Sequence, residues 1–376
     1  MIDAARNLTA KAMRRLLHVH KPFVRQMRRS AREREQVSIA TAAAAVDREI
    51  AAVARSGRPI VAGPWLAEVG YEALYWVPFL RWFADAYRLS ADRITVVSRG
   101  GVESWYRGIA DSYVDLFDAF SPAELAAANA DRQQREEDGG RKQSSRGSLD
   151  AHILDRLRPH LRDRYAVLHP SLMFRLFRDV WHGGLPLDLL WSHTDYVRLD
   201  VPQPPAFDLP ADYVAVKLYT GPALPDSPAN RELLRAIVER VAESLPIVLL
   251  DTGVAVDDHT DYIFSGVRNV INARRWMTPR NNLGLQTALV ARSRCFLGTC
   301  GGLVWLAPFL GVPAIGVYAD DRQLAPHLLT VRQAGRRTGA AELSLLDLRA
   351  FAHLGAGAPG ALNHGGFAAH GERGKP

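Results

Sequence analysis

Residues 295–320, CFLGTCGGLVWLAPFLGVPAIGVYAD, constrain the fold more than any other stretch of the chain. Three apolar runs, separated by a glycine turn and by Gly-Val-Pro, predict a strand, a helix and a parallel strand. Ligands of parallel sheets bind beyond the carboxyl ends of the strands, where the glycine turn at 298–302 falls. Glycine lets another molecule approach the backbone closely, and the amides of a helix start favour an anion such as phosphate. A tight turn with only a structural role is the alternative.

Length and composition exclude several classes of protein. With 376 residues, 48% of them hydrophobic, the chain is long enough for two globular domains with their own cores. No run of ~18 apolar residues predicts a transmembrane helix. The charged first 35 residues do not resemble a secretory signal. The two cysteines, Cys295 and Cys300, have no histidines nearby, so we expect reduced thiols rather than a disulfide or a zinc site.

The net charge is concentrated at the start of the chain. Residues 1–35 hold ten Lys or Arg against three acids, which is the whole net charge of +7. The segment 1–55 is predicted to be helical, and its basic, amphipathic part fits an anionic membrane surface or a partner groove. We therefore expect a cytoplasmic protein, peripheral at the inner face of the cytoplasmic membrane; a solvated or self-docked helix is an equal alternative. Nucleic acid is not expected, because no basic and aromatic platform recurs elsewhere.

The body of the chain repeats one α/β pattern on either side of the proline-rich segment 201–205. We predict an acceptor-side lobe over 56–200 and a donor-binding lobe over 206–335. Residues 126–148 are polar and glycine-containing without apolar periodicity, which predicts a mobile insertion. Residues 336–376 are predicted to form a helix, over 341–351, and a disordered tail.

A second informative segment, GPWLAEVGYEALYWVPFLRWF, follows the strand predicted at 59–62. Glu68 and Glu72 lie where that strand passes into an apolar helix predicted over 70–89. Pro78 should bend this helix, because it lacks the N–H that the helix needs. This strand-to-helix connection lies at the carboxyl end of a strand. We therefore expect the two acids of the first lobe to face the glycine turn of the second lobe. Stabilisation by the helix dipole or capping of the turn explains the two acids equally well.

The glycine-turn pattern, G-T-x-G-G-x(4)-A-x(3)-G-x-P, resembles the donor-binding segment of GT-B-fold glycosyltransferases, most closely the ADP-heptose:lipopolysaccharide heptosyltransferases. The matching positions are Gly298, Gly302, Ala307, Gly311 and Pro313, while the family's aspartate falls at Cys300 and its histidine at Trp305. The family's other motif, G-D-x(5)-P, is similar to residues 70–78 with one extra residue, so the acid position falls at Glu68 or Glu72. The resemblance covers about residues 60–330 and implies two Rossmann-like lobes facing a central cleft.

The resemblance also implies a reaction. It is the transfer of a sugar, hexosyl or heptosyl, from a nucleotide-sugar to a hydroxyl acceptor that is a glycan, a lipid-linked molecule or a small molecule. Cell-envelope or surface-glycan assembly is the expected setting, without a metal or a cofactor. Such a transfer needs a base for the acceptor proton and hydrogen-bond donors for the leaving diphosphate.

The residues expected to do this follow from both motifs. Glu68 or Glu72 is the expected base. The expected donor-binding residues are Lys217, Thr252, Gly253, Thr299, Gly301, Gly302, Trp305 and Asp320, and His169 is expected on the acceptor side. The plainer alternatives are a solvated Lys217, a core Trp305, a loop-capping Asp320 and a structural His169. A sugar-nucleotide epimerase on the same fold and a non-catalytic interaction protein remain the rival functions.

Overall fold

The structure is a computed structural model that describes residues 27, 29, 34, 37–135, 143–201, 203, 207–253 and 259–352. Most of the basic segment 1–35, and with it the predicted membrane contact, lies outside these residues. A helix, α1, covers residues 37–54. Its buried face consists of Val46, Ile50 and Ala54, and Glu49 on its outer side binds Arg175 with an Oε1–Nη2 distance of 2.6 Å. This part of the N-terminal segment is therefore packed onto the body of the protein.

The first lobe is built on a four-stranded parallel sheet in the order β3-β2-β1-β4. Its strands are β1 (Ile60–Ala62), β2 (Ile94–Ser98), β3 (Ser112–Asp115) and β4 (Ala166–Leu168). Its helices are α2 (Val69–Tyr71), α3 (Val77–Ala86), α4 (Pro122–Arg135), α5 (Ser148–Arg156), α6 (Pro170–Trp181) and α7 (Asp188–Trp191). The strands β1 and β2 are buried along their whole length, as strands covered by helices on both faces are.

The second lobe is built on a six-stranded parallel sheet in the order β10-β9-β8-β5-β6-β7. Its strands are β5 (Val214–Lys217), β6 (Ile247–Leu249), β7 (Val270–Asn272), β8 (Cys295–Thr299), β9 (Ala314–Tyr318) and β10 (Leu343–Asp347). Its helices are α8 (Pro228–Ala242), α9 (Asn282–Ala291), α10 (Gly302–Leu306), α11 (Ala325–Thr338) and α12 (Arg349–Ala352). The predicted α/β class with two Rossmann-like lobes is confirmed, and so is the strand–turn–helix–strand reading of residues 295–320.

The helix predicted over 341–351 is wrong. Residues 343–347 form β10, which pairs in parallel with β9 and extends the sheet by one strand. Its sequence, LSLLD, is short, and an apolar run of that length does not distinguish a buried helix from a strand by periodicity. The helix before it, α11, carries a mixed sequence that gave no clear signal.

The insertion predicted at 126–148 contains regular structure among the residues described, and its mobility stays a prediction. Residues 126–135 belong to α4, and residues 136–142 lie outside the description. Gln143 is 1% exposed. Its Oε1 accepts from the nitrogens of Leu66, at 2.7 Å, and Ala67, at 3.2 Å, and its Nε2 donates to the Pro64 oxygen at 2.9 Å. A polar stretch without apolar periodicity is thus ordered here by satisfying buried backbone groups.

The segment that carries Glu72 contains a π-helix. Residues Glu72–Trp76 form it between α2 and α3, and such i→i+5 turns are rare and concentrate at functional sites. The turn accommodates one extra residue, which accounts for the longer glycine-to-proline spacing. Pro78 lies in the first turn of α3. Pro78 lacks an N–H, so it leaves the Leu74 carbonyl without its usual helical donor. The Tyr196 hydroxyl donates to that oxygen at 2.8 Å instead.

The two lobes share one hydrophobic core. Buried residues of the first lobe, among them Trp65 and Trp76, belong to the same contiguous cluster as Trp305 and Phe309 of the second. Hydrogen bonds also cross the boundary: the Gly284 nitrogen donates to the Gly100 oxygen at 2.8 Å, and Trp105 Nε1 donates to Thr287 Oγ1 at 3.1 Å. The lobes are therefore in direct contact along this part of their boundary.

Candidate functional site

Both sheets reverse their strand order at a defined point. In the first lobe β1 lies between β2 and β4, and in the second β5 lies between β6 and β8. Ligands of open α/β sheets bind outside the carboxyl ends of the strands at such points. The loop leading to Glu68 follows β1 and His169 follows β4, while Tyr219 follows β5 and the glycine turn follows β8. The sequence-predicted acids and the glycine turn therefore stand at the expected edges.

The two motif segments meet at the seam between the lobes. A Cβ added to Gly70 would lie 3.1 Å from the Gly302 nitrogen and 3.5 Å from Trp305 Cδ1. A Cβ added to Gly302 would in turn lie 3.5 Å from Val69 Cγ1. The contact at Gly70 is tighter than most Cβ contacts, whereas the one at Gly302 is an ordinary van der Waals contact. The seam is partly open to solvent, since residues 68–71, Gly301 and Gly302 are half-buried.

Glu72 is fully buried beside this seam. Its exposure is 0%, and its Oε1 accepts from the hydroxyls of Ser98 and of Tyr106, the latter at 2.5 Å. Its Oε2 is buried without a hydrogen-bond partner among the described residues. The carboxyl group thus has one anchored oxygen and one oxygen with capacity for a ligand or a proton.

Burial controls the protonation of Glu72. Loss of solvation raises the pKa of its carboxyl group to about 7, against the opposing effect of the Ser98 and Tyr106 hydrogen bonds and of the charge on Arg99. Arg99 is itself buried and donates to the carbonyl oxygens of Leu66, at 3.4 Å, and Ala67, at 3.2 Å. A carboxyl group with a pKa near neutrality exchanges protons readily at the working pH, as a general acid or base must.

Glu68 lies in a different environment. It is the residue before α2 and is half-buried, and its side chain makes no capping hydrogen bond to that helix. The Glu68 side chain therefore does not cap α2. Glu68 keeps solvent access that Glu72 lacks.

The glycine turn is held by β5. Thr299 is 2% exposed, and its hydroxyl donates to the Tyr219 oxygen and accepts from the Tyr219 nitrogen, both at 2.9 Å. Gly301 has φ 152°, and a Cβ there would lie 2.5 Å from the Tyr219 hydroxyl oxygen. The amides of Gly302, Leu303 and Val304 open α10, where backbone N–H groups have no acceptor within the helix. The family's aspartate position holds Cys300, whose thiol has its pKa raised to about 12 by burial and so stays protonated.

Lys217 stands next to this turn. It pairs with Gly298 across β5 and β8, and its Nζ donates to Asp261 Oδ2 at 2.6 Å and to the Leu250 oxygen at 3.0 Å. An ammonium group has three N–H donors, so one remains for a further acceptor. The solvated lysine of the plainer alternative is not what the structure contains, since the side chain is 14% exposed.

The remaining donor-side residues are more dispersed. The Thr252 nitrogen lies 3.4 Å from Asp261 Oδ2, and Gly253 has φ 61° with its nitrogen donating to Asp251 Oδ1 at 3.1 Å. Asp320 is bound by Arg322, whose hydrogen bonds lower the pKa of Asp320 to about 2. That carboxylate already caps its own loop by accepting from the Arg322 nitrogen at 3.0 Å.

Two of the predicted site residues have structural surroundings. Trp305 is 3% exposed and belongs to the shared core. His169 is 4% exposed, and its Nδ1 accepts from the Ser171 nitrogen at 3.1 Å, which caps α6. Its Nε2 lies 3.1 Å from Asp150 Oδ1. Both placements agree with the plainer alternative named for each residue.

Two contacts at the seam were missed by sequence reasoning. His327, on α11, lies with Nδ1 2.6 Å from the Tyr75 hydroxyl and Nε2 3.5 Å from the Tyr71 hydroxyl. Tyr219 packs on His259, with ring centroids 4.6 Å apart. The position of Tyr219, two residues after the end of β5, was a usable signal, because the first strand of a doubly wound lobe borders its switch point. Nothing in the sequence near His327 indicates its contact with the first lobe.

Comparison with known proteins gives only distant similarity. No family model matches the chain, and no curated protein matches it. Among solved structures, the iron-containing dodecameric glycosyltransferase TibC of enterotoxigenic Escherichia coli matches with 13% identity and TM-score 0.40 over 70% of this chain. The chain spans 58% of the length of TibC.

Two further structures cover more of their own length. A family 9 glycosyl transferase of Veillonella parvula matches with 14% identity and TM-score 0.40 over 79% of this chain and 88% of its own. The ADP-heptose LPS heptosyltransferase II of E. coli matches with 12% identity and TM-score 0.37 over 77% and 90%. UDP-N-acetylglucosamine 2-epimerases also match, at TM-scores of 0.33 and below. The predicted resemblance to heptosyltransferases is confirmed as a likeness of fold, and at these values the likeness carries no argument about function.

No group of three His, Cys, Asp or Glu side chains among the residues that the structure describes is arranged to hold a metal ion. None of the helices described is long and apolar enough to cross a membrane.

Proposed function

We propose that the protein transfers a sugar from a nucleotide-sugar to a hydroxyl acceptor, in cell-envelope or surface-glycan assembly, without a metal ion. The observation that carries the proposal is the contact between the segment bearing Glu68 and Glu72 and the glycine turn at 301–302. Two sequence motifs more than 200 residues apart meet at the switch-point edges of the two sheets. A base and an anion-binding turn brought together are what glycosyl transfer requires.

The first lobe is proposed to supply the base. Glu72 has the better chemistry, because its pKa of about 7 suits proton transfer near neutral pH. Glu68 has the better access, because it is half-buried rather than sealed. An acceptor hydroxyl reaches Glu72 only if the seam opens by a relative movement of the lobes, of the kind that accompanies substrate entry in many enzymes. His169 is retained only as an indirect contributor on the acceptor side.

The second lobe is proposed to hold the donor. The glycine turn and Lys217 form the diphosphate end, with Asp261 keeping the ammonium group beside Gly298. Thr252 and Gly253 border the nucleoside end at the mouth of β6. Thr299 acts by fixing the turn to Tyr219, and Trp305 by supporting it from the core. Asp320 is left as a contact for the sugar hydroxyls, provided that Arg322 moves away.

One observation favours a second candidate, a non-catalytic protein that keeps the scaffold. The polar groups at the seam are largely satisfied within the chain: Lys217 by Asp261, Thr299 by Tyr219, and the Glu72 Oε1 by two hydroxyls. The shared core also holds the lobes together. A protein of this kind has no need for the seam to open.

A thermal-shift screen of ADP-, UDP- and GDP-sugars tests the proposal and separates these candidates. One nucleotide-sugar at about 100 times its Kd should stabilise the protein by about 2.7 kcal/mol. Slow hydrolysis of the same compound, followed by NMR, should accompany the shift. Interconversion of the sugar without an acceptor would identify an epimerase instead. Absence of any shift across the three nucleotide classes would favour the non-catalytic scaffold.

The membrane contact is a separate proposal that rests on residues 1–35. Their ten basic side chains should bind vesicles containing anionic lipid, and the binding should weaken with salt, because exposed charges are screened within ~8–10 Å. Cosedimentation of the full chain and of a chain beginning at residue 36 measures it. Equal binding by the two chains would show that residues 1–35 are not the anchor.

A further inference from the structure

A polar cavity of about 250 Å³ is lined by residues other than those that form the seam. It is bounded by α3, by the short 3₁₀-helix at Glu103–Tyr106, and by the crossing segment 197–200. Its lining residues are Arg81, Ser104, Arg107, Val197, Arg198, Leu199 and Asp200. The charged residues of this lining are three arginines and one aspartate.

The cavity has fewer carboxylates close to its arginines than it has arginines. Arg107 Nη1 lies 3.4 Å from Asp200 Oδ2, and both side chains are more than half exposed, so the pair is weak. Arg81 Nη2 donates to the Arg107 carbonyl oxygen at 3.3 Å. Among the described residues, neither Arg81 nor Arg198 has a carboxylate within 4.0 Å. Burial lowers the pKa of Arg81, while the more distant Asp195 and Asp200 act in the opposite direction.

The crossing segment connects this cavity to both lobes. The Leu199 nitrogen donates to the Phe309 oxygen of the second lobe at 2.8 Å, and the Arg198 guanidinium lies against Gly311. Arg81 belongs to α3 of the first lobe. A ligand held by Arg81 and Arg198 therefore joins the first lobe to the segment that leads into the second.

We propose that this cavity binds a small oxyanion of the phosphate class. Guanidinium groups present planar pairs of N–H donors that match the oxygens of phosphate, and the Ser104 hydroxyl adds a further donor. The lining has no aromatic side chain to stack on a base, which fits an anion rather than a nucleoside. The same chemistry serves free phosphate and the phosphoryl group of a monoester. The proposal is independent of the proposed sugar transfer.

Isothermal titration with sodium phosphate and with glycerol 3-phosphate, at an ionic strength matched with sodium chloride, tests the proposal. The full chain should bind at least one of them with a millimolar or lower Kd. Arg81→Gln and Arg198→Gln should each weaken that binding about tenfold, the change expected for one charge-assisted hydrogen bond. Arg268→Gln, at an exposed arginine of the second lobe, is the matched control and should bind as the parent does.

Arg198→Lys is a second variant, included in case Arg198→Gln does not fold. It keeps the positive charge and removes the planar guanidinium group. It should also bind more weakly than the parent. Tighter binding of inorganic phosphate would identify the free ion as the ligand, and tighter binding of the monoester would identify a phosphoryl group on a larger molecule. No binding by the parent, or equal binding by the parent and the folded cavity variants, would overturn the proposal.

Discussion

Replacing Glu72 with glutamine is expected to stabilise the protein at alkaline pH relative to the parent. The parent carboxyl group has its pKa raised from 4.5 to about 7 on folding. The folded state therefore binds a proton that the unfolded state has released between these pH values, and the stability of the parent falls as pH rises through this window. A shift of this size corresponds to about 3 kcal/mol. Glutamine has no such titration, so the variant does not lose this stability.

Urea unfolding at pH 4.5, 6 and 8 measures the effect. The difference in free energy of unfolding between Glu72→Gln and the parent should grow by about 3 kcal/mol across this range. Glu232→Gln, at an exposed position on α8, is the matched control. A constant difference for Glu72→Gln would mean that folding does not change the pKa of Glu72, against the burial argument.

The same variant tests the chemistry once a donor is known. If Glu72 is the base, Glu72→Gln should lower turnover by about 10²–10⁴ while donor affinity stays nearly unchanged. Glu68→Gln then serves as the comparison, because it changes the other candidate acid at the same seam. The larger loss identifies the base. Parental turnover in both variants would remove the acids from the mechanism.

Gly284→Ala is expected to destabilise the protein by several kcal/mol. Gly284 lies in α9, and a Cβ there would fall closer to the Gly101 carbonyl oxygen of the first lobe than real Cβ atoms approach. The obstacle is backbone, held in place by the hydrogen bond from the Gly284 nitrogen to the Gly100 oxygen. A backbone carbonyl group cannot change rotamer as a side chain does. The lobes must therefore separate locally and lose contacts in the shared core.

The matched control is Gly335→Ala in α11. A Cβ there would meet only the Ala340 Cβ, at 3.6 Å, so the position has room. Alanine in a helix interior is favoured over glycine by up to about 1 kcal/mol, and this variant should be slightly more stable than the parent. Calorimetric melting of the two variants compares them directly. Equal melting temperatures would show that the lobes do not depend on the contact at Gly284.

The sequence predicted the architecture better than its details. Buried strands beside glycine turns, such as 295–299, have a recognisable local sequence pattern. This pattern was enough to predict both lobes. The π-helix at Glu72–Trp76 had no such signature, and its Leu74 carbonyl accepts a hydrogen bond from the distant Tyr196. Gln143 was missed for the same reason: its order comes from backbone groups near Pro64, almost 80 residues earlier.

The candidate site shows the same limit. Motif spacing located the acids and the glycine turn, and the structure brings them to one seam. Pattern alone did not predict that Lys217 would be bound to Asp261 or that Trp305 would be enclosed by the first lobe. Both depend on partners remote in sequence, whose positions are fixed only when the whole chain has folded.

The shared core also has a consequence for synthesis on the ribosome. The first lobe emerges first, but the face that carries Trp65 and Trp76 is completed by residues of α10. At 5–20 residues per second, the chain between Ala86 and Leu306 takes roughly 10–45 s to appear. Throughout that interval the nascent first lobe presents an uncovered aromatic surface. We therefore expect the packing of the first lobe to be completed only after α10 has been synthesised.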